Sequence, residues 1–109
     1  MPLVHKISEL YSKLYLLGKT LPKRDHFGIY LKIENVCLEL LELSITAAFE
    51  AKINKSVLLS SARIKTEVLK NLVRKSLELK IIERKKYIEI QTELQEISKM
   101  INGWLKFLK

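Results

Sequence analysis

Apolar residues at the start of the chain advance in alternating steps of four and three. Leu3, Ile7, Leu10, Leu14, Leu17 and Leu21 run 4-3-4-3-4. This spacing sets one apolar side chain per turn along one side of a helix, the seam of a helical bundle. Near the end of the chain Tyr87, Ile90, Leu94, Ile97, Ile101, Trp104 and Leu108 run 3-4-3-4-3-4. With three Gly and two Pro in 109 residues, the chain is too poor in turn formers for a turn-rich β architecture. The pattern predicts four helices, over about residues 3–19, 25–52, 55–80 and 85–108.

Local signals support these boundaries. Pro2 suits the first position of a helix, and Gly18 with Thr20-Leu21-Pro22 stops it. Asp25 is an expected cap for the second helix and Asn54 for the third. The second helix carries two apolar seams: Ile29, Ile33, Val36, Leu40, Leu43 and Ala47, then Leu31, Leu38, Leu41, Ile45 and Ala48. At about 28 residues it would be about 42 Å long. On the third helix Leu58, Ala62, Leu69, Leu72 and Leu79 share one side, with Val57, Ile64 and Val68 beside them. Short connections make successive helices antiparallel neighbours. The expected architecture is all-α, an antiparallel up-down-up-down four-helix bundle forming a single domain over residues 1–109.

Charge is distributed unevenly. The formal net charge is +8, and residues 52–86 account for all of it, with eleven bases against Glu67, Glu78 and Glu83. The other 74 residues balance to zero. A field confined to one segment attracts a polyanion. Arg63, Lys70 and Arg74 fall within about 40° on the third helix, away from its apolar stripe. Lys80, Arg84, Lys85 and Lys86 carry the charge into the following turn. Arg and Lys at such spacing suit phosphate chains. No aromatic residue is interleaved with these cations, so base stacking is not expected to dominate. The competing reading is a solvated helix face.

Other chemistries find little support. His5 and His26 lack a Glu three residues earlier, so the di-iron bundle pattern is missing. Cys37 has no second thiol for zinc and falls among core positions. There is no glycine-rich phosphate loop, and no nucleophile, base and oxyanion donor assemble. The expectation is a non-enzyme with no cofactor, no metal and no catalytic residue. A single Cys fits a reducing compartment, and no uncharged run approaches the ~20 residues of a membrane span. A cytoplasmic protein with no membrane association is expected. Phe49, Trp104, Phe107 and the second seam of the second helix exceed what a small bundle hides, which points to self-association.

Three stretches together carry a resemblance. They are Leu21-Pro22-Lys23-Arg24 followed by Gly28, the run Ile64-Lys65-Thr66-Glu67-Val68-Leu69-Lys70-Asn71-Leu72-Val73-Arg74, and Tyr87-Ile88 leading to Leu94-Gln95-Glu96-Ile97-Ser98-Lys99-Met100-Ile101-Asn102-Gly103-Trp104. Over about residues 15–109 the pattern resembles the small four-helix-bundle proteins associated with 23S rRNA intervening sequences. Within that group it is most similar to the accessory variability determinant (Avd) family of diversity-generating retroelements. The family often has Gly where Ser98 and Asn102 stand here.

The resemblance implies a ring-shaped homopentamer of four-helix bundles without enzymatic activity. It also implies two partners, the element's reverse transcriptase and its template RNA, held during error-prone cDNA synthesis. By position, Arg63, Lys70 and Arg74 match the family's basic helix, and Lys65 and Lys75 flank them. The full candidate surface is Arg63, Lys65, Lys70, Arg74, Lys75, Lys80, Arg84, Lys85 and Lys86. A general RNA- or rRNA-associated bundle and a purely structural oligomeric interaction protein are the alternatives.

Overall fold

The computed structural model describes residues 2–109. Among them there are four long helices and no strand. The first is Pro2–Gly18, with Pro2 at its start as its fixed φ favours. Its seam becomes core, since Leu3, Ile7, Leu10 and Leu14 are buried. It stops as the Thr20 hydroxyl and the Thr20 backbone N–H both donate to the Leu17 carbonyl, at 2.7 and 3.0 Å. Pro22 then turns the chain.

The second helix begins differently from expectation. Residues Lys23–Asp25 form one helical turn, His26–Tyr30 form a π-helical turn, and a regular helix follows over Leu31–Phe49. Gly28, with φ −95° and ψ −125°, leaves helical geometry within the π segment. Asp25 lies inside this lead-in and makes no capping hydrogen bond. The π turn supplies the extra residue that brings Tyr30 into the core. There its buried hydroxyl donates to the Leu14 carbonyl at 2.6 Å.

The second helix also ends earlier than expected. Glu50 and Ala51 are extended, and the third helix is Lys52–Glu78. Asn54 therefore caps nothing. It lies in the first turn of the third helix, and its amide donates to the Glu50 carboxylate at 3.1 Å. No Gly or Pro marks this break; it falls between Ala47, the last fully buried residue of the second helix, and Leu59, the first of the third. Packing ends the helix here.

The third helix buries Leu59, Ala62, Thr66, Leu69, Val73 and Ser76. Its buried stripe is rotated from the expected one. Leu58 and Leu72 are half-buried and Leu79 is exposed. Ala62, Thr66 and Ser76 are small, which suits close helix approach, and the Thr66 hydroxyl is satisfied by the Ala62 carbonyl at 2.8 Å. The fourth helix, Arg84–Phe107, buries Ile90, Leu94, Ile97 and Ile101 and half-buries Tyr87, Trp104 and Leu108.

Specific contacts give the neighbours. Lys65 of the third helix pairs with Glu39 of the second. Gln91 of the fourth donates to the Lys70 carbonyl of the third at 3.0 Å. Lys6 and Lys13 of the first helix bind buried Glu93 of the fourth, and Lys6 also reaches Glu96 at 2.7 Å. The Lys6 hydrogen bond holds the Glu96 carboxyl below the usual carboxylate range. The molecule measures 43 × 20 × 18 Å. No helix is long and apolar enough to cross a membrane among the described residues.

Candidate nucleic-acid interface

A surface groove of about 820 Å³ lies between the third and fourth helices. Arg63, Glu67, Lys70 and Asn71 line it from the third helix together with the apolar Ile64, Val68 and Leu72, and Gln95, Ser98, Lys99 and Asn102 line it from the fourth. The groove continues past Arg63 and Asn102 into a hollow bounded by Ser56, Ser60, Lys106 and Lys109. Five cations thus follow one channel, with Glu67 as the only acid lining it. Lys70 holds that acid at 2.9 Å. Ser98 Oγ is buried in the groove wall and makes no hydrogen bond among the described residues.

Local sequence explains the arrangement. Seven residues from Arg63 to Lys70 are nearly two full turns, so both side chains leave the same side of the third helix. Lys99, Asn102 and Lys106 on the fourth helix, and Lys109 just past its end, are spaced three, four and three apart, which makes a second polar row. The two rows face one another across the groove. Arg63, Lys99, Lys106 and Lys109 take part in no ion pair among the described residues. A chain of phosphates laid in the groove would meet cations from both walls, and Arg63 offers a bidentate donor set.

The nine sequence candidates divide into three groups. Arg63 and Lys70 line the groove, and Arg74 follows them along the same side of the third helix. Arg74 lies beside Tyr87, and hydrogen bonding to that phenol holds the guanidinium still more firmly in its charged form. Lys65 and Lys75 leave the site. Lys65 turns to the second helix, and its hydrogen bond keeps the Glu39 carboxyl below its ordinary range. Lys75 pairs with Glu78 at 3.2 Å on its own helix. Lys80, Arg84, Lys85 and Lys86 lie at the end of the bundle, in the connection between the third and fourth helices and the first turn beyond it.

Sequence reasoning missed Lys99, Lys106 and Lys109 as groove residues. Their three-four-three spacing was the available signal. Only the pairing of the third and fourth helices says that this row faces Arg63 and Lys70. Elsewhere, no group of His, Cys, Asp and Glu suited to hold a metal occurs among the described residues. Cys37 is fully buried, and its burial pushes the thiol up to about 12. His26 binds buried Glu34 at 3.3 Å and stacks on Phe27.

No curated protein matches the chain. The bAvd-like family model matches residues 1–108. Covered almost end to end by that one pattern and built as an all-helical bundle, the chain belongs to the bAvd-like family.

Proposed function

We propose that the chain is a non-catalytic accessory protein of a diversity-generating retroelement. In this reading the protomer is an up-down-up-down bundle that assembles as a homo-oligomer, a pentamer. It holds template RNA for the element's reverse transcriptase during mutagenic cDNA synthesis. Family membership supports the accessory role. The observation that carries the RNA contact is the groove, where Arg63 and Lys70 share a channel with Lys99 and Lys106 of the facing helix and with Lys109 just past its end. Among the described residues no aromatic side chain lines the groove, so specificity rests on RNA shape, on the amides of Asn71, Gln95 and Asn102, and on the polymerase.

Two exposed apolar stripes support self-association. One is Leu31, Leu38 and Ile45 on the second helix, and the other is Ile53 and Val57 at the start of the third, beyond the groove that Ile64 and Val68 line. They are different surfaces of one protomer, so joining one to the other is heterologous, and a heterologous contact that closes makes a ring. Copies in a ring add their grooves, and many weak phosphate contacts act together.

The test is RNA binding titrated against salt, with native mass spectrometry on the same samples. The expected result is binding that weakens steeply as salt rises, with Arg63→Glu/Lys70→Glu/Lys99→Glu lowering both affinity and salt slope. Co-purification of a reverse transcriptase from the native host supports the retroelement role. RNA recovered without any polymerase favours the general RNA-associated bundle. Binding that is negligible at low salt removes the nucleic-acid reading, and a monomer at every concentration removes the ring.

A further inference from the structure

Lys80, Arg84, Lys85 and Lys86, the four candidates at the end of the bundle, acquire new neighbours in the fold. The first-to-second and third-to-fourth connections meet at one end of the bundle. Pro22, Arg24, Asp25, Gly28 and Ile29 share a hollow of about 560 Å³ with Leu79 and Ile81. Beside it, Lys86 borders a second hollow with Leu16, Leu17 and Thr20. These contacts place Lys19, Lys23 and Arg24 at the same end as Lys80, Arg84, Lys85 and Lys86. All seven cations are exposed. Only Asp25 and Glu83 oppose them among residues 18–30 and 79–86. Of the seven, only Lys86 is in an ion pair among the described residues, with Glu89 at 3.4 Å.

This end also presents an aromatic ring. Phe27 is 66% exposed, and His26 stacks against it at 5.1 Å with the planes 19° apart. His26 is in turn fixed by Glu34. The Phe27 ring is thus backed on one side and held in place, with most of its surface in water. Leu79, also exposed, adds apolar surface at the hollow.

One more feature marks the end as more than solvated charge. Lys80 has φ +61°, the only positive φ outside glycine among the described residues. It occupies the left-handed position that closes the third helix. There the Ile81 N–H returns to the Ser76 carbonyl at 2.9 Å, and the Lys80 N–H to the Leu77 carbonyl at 3.0 Å. Glycine takes this conformation without strain. A lysine there keeps a cation between Leu79 and Ile81, which line the hollow, at a conformational cost, a pattern associated with functional positions.

We infer that this loop end is a second nucleic-acid surface, separate from the groove, which takes single-stranded RNA with its phosphates on Arg24, Lys80 and Arg84 and a base stacked on Phe27. The inference rests on the nucleic-acid reading above. Cations alone would serve a duplex or an acidic peptide equally well. An exposed, backed aromatic ring selects a ligand with an unpaired π face, which a duplex hides and an acidic peptide lacks. Phe27, distant in sequence from Lys80–Lys86, is brought to their end of the bundle because its neighbours Gly28 and Ile29 share the hollow with Leu79 and Ile81.

The test uses the full chain, fluorescence anisotropy, a labelled oligouridylate of about 12 nucleotides and an RNA duplex of similar length. Phe27→Ala is expected to weaken the single strand about tenfold and leave the duplex unchanged, while Phe27→Trp retains binding. Arg24→Glu/Arg84→Glu is expected to weaken both RNAs and lower the salt slope. Phe27 is mostly exposed, so loss of fold is not expected, and circular dichroism with native mass spectrometry verifies it. Single-strand affinity unchanged in Phe27→Ala overturns the inference, as does an equal loss on both RNAs. Displacement of the oligouridylate by polyglutamate at matched charge also overturns it, in favour of an acidic protein partner. If only Arg63→Glu/Lys70→Glu matters, the groove stands and the loop-end surface falls. If only the loop-end variants matter, the reverse holds. A wild-type chain that binds no RNA removes both.

Discussion

Replacing Lys80 by glycine separates a backbone cost from a binding role at a single residue. At φ +61° a side chain with a Cβ carries a steric penalty of roughly 1–2 kcal/mol, which glycine escapes. Glycine also gives the unfolded chain more freedom, which returns roughly 0.4–1 kcal/mol. Lys80→Gly is therefore expected to stabilise the protein by about 0.5–1 kcal/mol, a few degrees in Tm for a domain of this size. Removing a positive charge from a crowded basic end contributes as well, so Lys80→Ala is the control. It removes the same charge and keeps the Cβ. Urea unfolding followed by circular dichroism, at one fixed protein concentration, measures all three proteins. The Gly-minus-Ala difference reads the backbone alone. Both variants lose the cation, so both should bind oligouridylate less tightly than the parent, by a similar factor. If Lys80→Gly is no more stable than Lys80→Ala, the left-handed strain at the end of the third helix is refuted. If Lys80→Gly binds RNA as the parent does, the cation has no part in binding.

Three further outcomes follow from the core and its ion pairs. A methyl group at Gly18 would lie 2.9 Å from Tyr30 Cε2 and 3.1 Å from Glu34 Oε2. The Tyr30 ring is anchored by its hydroxyl, so Gly18→Ala is expected to cost about 1–2 kcal/mol despite the better helix propensity of Ala, measured by urea unfolding. Burial pushes the Cys37 thiol up to about 12 and raises the Tyr30 phenol as well. Both groups ionise more readily in the unfolded chain, near about 8.5 and 10. Their contribution is fully present below those values and is lost as pH rises through the folded ones. The urea midpoint should accordingly fall through the alkaline range, less steeply in Tyr30→Phe, and iodoacetamide should alkylate Cys37 only at the rate of unfolding. At the acid side, Glu39 and Glu96 are held low by lysine hydrogen bonds. Their contribution is present above about pH 4.5 and lost as pH falls below it, a loss that Lys65→Met should reduce for Glu39.

Much of this protein was legible in its amino-acid order. The alternating steps of four and three place Ile7, Leu10 and Leu14, and then Ile90, Leu94, Ile97 and Ile101, in one core. That reading works because helical periodicity is a local property, set by 3.6 residues per turn. Arg63 and Lys70 could be read together for the same reason. The short helix stop at Thr20-Leu21-Pro22 was likewise written in local backbone chemistry.

What the tertiary structure decided was which rows of side chains face each other. The break at Glu50-Ala51 carries no breaker residue and comes from folding the third helix back over Ala47. The π turn at His26–Tyr30 is set by seating the Tyr30 hydroxyl on Leu14. Lys65 belongs to a helical segment rich in cations, yet Glu39 on another helix takes it out of the site. Lys99 joins Arg63, and Phe27 joins Lys80, only because residues far apart in sequence are brought to one groove or one end. A helix face is determined by neighbours three and four residues away, whereas a binding surface depends on contacts across dozens of residues, and these exist only once the helices have packed.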